Sequence, residues 1–259
     1  MELPKNHFKA AILAGQQQLG LWSQINDATV SELLAGCGFD WMVLDCEHSP
    51  IDTATVLPML QAMASYPVQP VVRARSLNPA EIKKLLDYGA QNILVPYVQN
   101  AEEARLAAAS VDYPPSGIRG VAGGTRAGRF GRIANYHRIA RQEICLIIQI
   151  ETVEALNNLD EILKVDGIDA IFIGPADLAA SMGYPGDTSN PAVRETAIDV
   201  VRRIRTAGKP CGFLTRDESF LDEVVAAGNV FTAIDIDIMV LRLAAEAKVN
   251  HWRKKFGKD

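Results

Sequence analysis

The chain has 259 residues, 48% hydrophobic and 22% charged, with a net charge of −5; this is ordinary globular composition with enough length to bury a substantial core. Its basic residues are scattered except between Arg126 and Arg132 and in the tail at Arg253, Lys254, Lys255 and Lys258, which leaves no footprint for nucleic acid or an anionic membrane. No apolar run reaches the roughly 18 residues of a membrane span, and the opening Met-Glu-Leu-Pro-Lys lacks the basic start and apolar core of a signal peptide, so a cytoplasmic protein is expected.

Short apolar runs at 19–22, 41–45, 70–74, 92–96, 144–150, 170–173, 211–214 and 230–235 read as eight strands. Amphipathic stretches at 28–35, 53–64, 79–88, 102–110, 153–163, 193–207 and 218–227 are long enough for crossover helices, and Gly36, Gly89, Gly208 and Gly228 follow helix ends. Strands apolar along their whole length imply a parallel sheet buried on both faces. Eight such units point to an α/β fold, a closed (β/α)8 TIM barrel forming one domain over residues 1–259, rather than an open doubly wound sheet.

Two segments exceed a minimal barrel. Residues 112–142 form an overlong fourth connection, rich in Gly, Pro and Arg, of the kind that closes over a ligand. Residues 238–252, with Met239, Val240, Leu243, Ala247 and Trp252, read as an additional C-terminal helix that covers the barrel or packs on a neighbouring subunit. Cys37, Cys46, Cys145 and Cys211 are isolated beside apolar residues, which predicts buried free thiols.

In such barrels the residues just past each strand surround the active site. That rule collects Asp45, Glu47 and His48 after the second strand and Arg73 and Arg75 after the third. It also collects Gln149 and Glu151 at the fifth, and Gly174, Pro175 and Asp177 at the sixth. Glu151 and Asp177, with no His or Cys ligand nearby, suit Mg²⁺ or Mn²⁺ with positions open for substrate oxygens. A 2-oxo acid would chelate such an ion, Arg73 would stabilise enolate charge, and His48 would serve as the acid/base group, the role to which an imidazole is suited at neutral pH. A lysine Schiff base is disfavoured, since Lys83 and Lys84 lie in a helix, Lys164 follows one and Lys209 precedes its strand. Each residue also has a structural reading: Glu151 and Asp177 as helix-start acids, His48 in an ordered loop, Arg73 in a salt bridge. Spacing alone leaves both readings open.

The motifs Gly20-Leu-Trp22, Asp45-Cys-Glu-His48, Pro70-Val-Val-Arg73, Gly117-Ile-Arg-Gly-Val121, Gln149-Ile-Glu-Thr152 and Phe172-Ile-Gly-Pro-Ala-Asp-Leu178, in this order, resemble the HpcH/HpaI family of class II pyruvate aldolases. The resemblance runs from about Phe8 to Ala247 and leans towards members acting on 4-hydroxy-2-oxoheptanedioate or on sugar acids. It implies a homohexamer with a C-terminal helix exchanged between neighbours, and no organic cofactor. It also implies a divalent metal (Mg²⁺, Mn²⁺ or Co²⁺) on Glu151 and Asp177, Arg73 holding the pyruvyl oxygen, and His48 as acid/base paired with Asp87 across a subunit contact. Asp45 and Gln149 match positions near the metal; Trp22, Val121, Arg126 and Leu214 match positions near substrate; and the backbone from Gly174 through Pro175 to Ala176 would receive the pyruvate carboxylate.

The implied reaction is reversible cleavage of 4-hydroxy-2-oxo acids into pyruvate and an aldehyde. A 2-keto-3-deoxy sugar-acid aldolase, a CoA-ester lyase and a phosphoenolpyruvate-type enzyme are the alternatives on the same barrel. Three departures from the family pattern bear on the aldehyde: Cys46 after Asp45, the Gly-rich loop 122–132, and Asp235 where the family usually has Gly.

Overall fold

The computed structural model describes residues 1–258. Its strands are β1 (Gln18–Ser23), β2 (Trp41–Asp45), β3 (Gln69–Arg73), β4 (Asn92–Val95), β5 (Cys145–Ile150), β6 (Ala170–Ile173), β7 (Cys211–Leu214) and β8 (Phe231–Ile236). The helices are α1 (His7–Leu13), α2 (Ala28–Ala35), α3 (Thr53–Met63), α4 (Pro79–Asp87), α5 (Ala101–Val111), α6 (Tyr136–Ile139), α7 (Val153–Asn157), α8 (Leu159–Leu163), α9 (Pro175–Ser181), α10 (Pro191–Thr206), α11 (Glu218–Ala226) and α12 (Asp237–Lys255). The strands pair in parallel in chain order and β8 returns to β1, which closes the barrel as the strand count predicts.

Side chains alternate between two buried layers, as the two-residue period of a strand requires. Val43, Val71, Leu94, Ile147, Phe172 and Phe231 fill the barrel interior, while Met42, Leu44, Val72, Ile93, Ile148 and Ile171 pack outward against the helices. Trp41 takes its interior place because Gly20 stands beside it on β1, where a Cβ would lie 2.2 Å from the indole.

Helix α1 lies outside the elements expected from the sequence. Asn6 caps it by accepting from Lys9 N, and Asn6 also donates through Nδ2 to Asn92 Oδ1 at 2.7 Å. Phe8 and Ile12, both fully buried, seal the end of the barrel at which the strands begin. Phe8 sits 5.6 Å from Trp41 and 5.5 Å from Phe231, ring centre to ring centre.

Three details differ from expectation. The helix expected over 153–163 breaks at Asn158, whose side chain donates to Gln99 O at 2.9 Å and ties the break to the loop after β4. A short helix, α9, follows β6 directly. Cys37 is exposed rather than buried, because it lies just past the α2 terminus at Gly36, whereas Cys46, Cys145 and Cys211 are buried free thiols.

Asp237 fastens the start of α12. It is 3% exposed and accepts from Ser23 Oγ at 2.8 Å, Gln24 N at 2.9 Å and Ile25 N at 3.1 Å. Beyond that anchor the helix leaves Val240, Leu241, Val249 and Trp252 exposed. Among the described residues no helix is long and apolar enough to cross a membrane.

Truncating Phe8 leaves a void between two aromatic rings, so Phe8→Ala is expected to lower the unfolding free energy by about 3 kcal/mol or more. The check is the midpoint of chemical denaturation; an unchanged midpoint would show that α1 does not seal the core.

Candidate active site

Asp45 and Arg73 end neighbouring strands and stand opposite one another in the parallel register. Arg73 donates from Nε to Asp45 Oδ1 at 2.8 Å and from Nη2 to Oδ2 at 2.7 Å, the two-pronged geometry that suits a guanidinium and a carboxylate. Asp45 Oδ2 also accepts from Trp22 Nε1 at 3.1 Å and Gln24 Nε2 at 3.0 Å, while Oδ1 accepts from the backbone of Glu47 and His48 at 3.0 and 3.2 Å. Burial by itself would raise the Asp45 pKa; the Arg73 hydrogen bonds and charge, joined by Gln24 and Trp22, outweigh it and hold it at about 2. The Arg73 guanidinium also lies 4.8 Å over the Trp22 ring, a favourable cation–π contact.

Arg73 has one nitrogen left, and Nη1 lies 2.7 Å from Glu47 Oε2, an oxygen that is buried and takes no aligned hydrogen bond. His48 extends from the same loop, its side chain 60% exposed and its Nε2 3.8 Å from Glu47 Oε1. Burial raises the Glu47 pKa despite Arg73, and the charges of Asp45 and Asp177 add to the rise.

Glu151 follows β5 and is 2% exposed. Its Oε1 accepts from Tyr97 N at 2.8 Å and its Oε2 takes a short hydrogen bond from Gln149 Nε2. Burial, then the charges of Asp177 and Glu47, raise its pKa to about 7 against those hydrogen bonds. Asp177 stands exposed in the first turn of α9 without acting as its cap. Gly174 permits this approach, since a Cβ there would lie 2.3 Å from Glu151 Oε2. Pro175 is buried and Ala176 exposed beside it.

The Asp177 charge raises the pKa of both Glu47 and Glu151, and an oxygen-only pair such as Glu151 and Asp177 has the donor chemistry that suits a hard divalent cation. Among the described residues no group of three or more His, Cys, Asp and Glu side chains is arranged to enclose a metal.

The other expected residues divide. Leu214 ends β7, half-buried against the interior cluster. Asp87, Val121 and Arg126 do not join the rim within one chain. Asp87 accepts from Arg119 Nη2 at 2.9 Å at the end of α4, and Val121 is exposed. Arg126 donates to Tyr88 O at 2.6 Å and lines a crevice of about 210 Å³ with Pro70, Gln91 and Ile144, which lie where β3, β4 and β5 begin.

Sequence reasoning missed Gln24, Tyr97 and Arg119. The strand-end rule reaches the first two. Tyr97 carries a second mark, φ +58°, a left-handed conformation rare for a non-glycine residue and common where a site imposes it.

Folding favours the neutral form of Glu151 in the metal-free protein. That contribution is complete below pH 4.5, the ordinary value, and is lost as pH rises through about 7. The expected size is on the order of 3 kcal/mol. Glu151→Gln should remove this slope, measured as melting temperature against pH from 4.5 to 8 without metal; parallel curves for both proteins would refute it.

The HpcH/HpaI aldolase/citrate lyase family model matches residues 18–244. The chain is 53% identical over 252 residues to the hydroxypyruvate/pyruvate aldolase of Sagittula stellata, covering 97% of this chain and 100% of that one. It is 49% identical over 243 residues to the 4-hydroxy-2-oxo-heptane-1,7-dioate aldolase of Klebsiella pneumoniae, covering 93% and 92%. The crystal structure of an HpcH/HpaI aldolase/citrate lyase family protein from Burkholderia cenocepacia superimposes with a TM-score of 0.91 at 32% identity, over 96% of this chain and 100% of that one. With the closed barrel and the strand-end motifs, these matches place the chain in the HpcH/HpaI aldolase/citrate lyase family.

Proposed function

We propose that the protein is a divalent-metal-dependent pyruvate aldolase that reversibly cleaves 4-hydroxy-2-oxo acids into pyruvate and an aldehyde. The observation that carries this reading is the opposition across one rim of a locked cation, Arg73, and two mutually repelling carboxylates, Glu151 and Asp177, joined through Glu47. The names of the two aldolases at 53% and 49% identity support it.

On this reading Glu151 and Asp177 hold the ion, and Gln149 orients Glu151. A bound cation would supply Lewis-acid stabilisation of negative charge on the 2-oxo oxygen. Arg73, fixed by Asp45 and Trp22, holds the same oxygen from the opposite arc and stabilises the enolate without having to reorganise. The backbone of Gly174, Pro175 and Ala176 receives the carboxylate. His48, exposed at the mouth, takes the proton of the 4-hydroxyl as C3–C4 breaks, which leaves the aldehyde and the pyruvate enolate; a proton taken up at C3 gives pyruvate, and in the reverse direction C3 loses that proton and the new 4-hydroxyl regains its own. The aldehyde lies towards Leu214.

The protein on this reading is a homohexamer. A neighbouring copy brings the partner subunit's Asp87 to His48, and Val121 and Arg126 near substrate. The exposed apolar side chains of α12 and the separation of these three residues from the rim within one chain support that arrangement.

Chelator-treated protein is expected to release pyruvate from 4-hydroxy-2-oxo acids only after Mg²⁺, Mn²⁺ or Co²⁺ is restored, and release without metal would overturn the metal-dependent reading. Arg73→Ala and His48→Ala should each lower turnover by at least about 100-fold. Glu151→Ala and Asp177→Ala should lose the metal response, and a retained response would remove those residues as ligands.

A further inference from the structure

The mouth of the barrel has an arc, between β6 and β1, that neither charged cluster occupies. Arg216, two residues past β7, places Nε 2.8 Å from Oδ1 of Asp235 on β8. The two strands bring them together: Leu214 pairs with Ala233, and Thr215 N donates to Ala233 O at 3.3 Å. The pair therefore stands beside Leu214, with side-chain exposures of 39% for Arg216 and 26% for Asp235.

The backbone is irregular here. Gly20 pairs with Ala233 but Trp22 pairs with Ile236, so β8 carries one residue more than β1 across this span. Such bulges re-aim side chains at barrel rims. Asp235 is held by Ile236 N, which donates to Oδ1 at 2.8 Å, and the following Asp237 is anchored to β1 and the residues just past it. Among the described residues neither terminal nitrogen of Arg216 has a hydrogen-bond acceptor, and Asp235 Oδ2 has no donor.

We propose that the Arg216–Asp235 pair selects the aldehyde, favouring neutral hydroxyl-bearing aldehydes over those ending in a carboxylate; this rests on the aldolase reading above. The free terminal nitrogens of Arg216 donate to substrate hydroxyls. A terminal carboxylate can only accept hydrogen bonds, so on binding Arg216 it faces the negative charge and undonated Oδ2 of Asp235 at close quarters. A hydroxyl accepts from Arg216, donates to Asp235 and adds no charge.

The test compares kcat/KM for addition of pyruvate to glyceraldehyde, propanal and succinic semialdehyde by the metal-loaded enzyme. Asp235→Asn, nearly isosteric, should shift the glyceraldehyde-to-succinic-semialdehyde ratio about tenfold towards the latter, and Arg216→Ala should lower the glyceraldehyde-to-propanal ratio by about fivefold. Ratios are read because a loosened fold lowers all three rates together. If Arg216→Ala does not fold, the Asp235→Asn ratio decides alone. Unchanged ratios overturn the proposal. Exchange of the pyruvate methyl protons with D₂O by wild-type enzyme is measured in parallel: its presence with unchanged ratios sinks only this inference, while its absence overturns the aldolase reading and this inference with it.

Discussion

Arg73 carries a permanent charge into a position 5% exposed, and the arrangement around it follows from that burial. An unpaired guanidinium at such depth costs several kcal/mol. Asp45 meets it with both oxygens, and Trp22, Gln24 and two backbone N–H groups then complete the hydrogen bonding of Asp45. Residues from β1, β2 and β3 are fixed by this one carboxylate. Each of Arg73's alternative orientations would break at least one of these bonds, so the remaining nitrogen is aimed by construction towards Glu47 and the carboxylates beyond it.

The opposite side of the rim is built on unfavourable electrostatics. Glu151 sits buried with Asp177 and Glu47 in range, and two hydrogen bonds do not restore its ordinary acidity. Tyr97 in a left-handed conformation and a glycine at 174 without room for a Cβ are the local concessions that bring donor and backbone close to it. Strain and charge repulsion at one location, inside a barrel otherwise packed with regular apolar layers, mark a site kept for binding rather than for stability. The opposite end of the barrel shows the contrast: Phe8, Trp41 and Phe231 close it by packing their rings together.

Much of this was legible in the chain. Eight apolar runs separated by crossover-length segments define a closed parallel barrel because apolar strands need cover on both faces, and the observed strands fall within a few residues of those runs. The strand-end rule gathers Asp45, Glu47, His48, Arg73, Glu151 and Asp177 for the same reason, since parallel strands present all their carboxyl ends at one rim. The rule covers less where connections are irregular. It does not distinguish an interior-facing residue from its neighbour in a bulge, as at Asp235, and it assigns no place to residues of the long fourth connection such as Val121 and Arg126. Helix α1 escaped because Phe8 and Ile12 form too short an apolar pattern to mark a helix without the barrel end that they cover.

Sequence by itself determined the architecture, the membership of the rim and the chemical character of its residues, because these depend on periodicity and on strand direction alone. Tertiary structure decided the pairings. That Asp45 serves Arg73, that Arg119 rather than His48 faces Asp87 within one chain, and that Arg216 meets Asp235 are settled by contacts between residues 28, 32 and 19 positions apart. Side-chain direction, register and one extra residue in β8 settle which of several nearby charges become partners, and no local pattern in the chain encodes those three together.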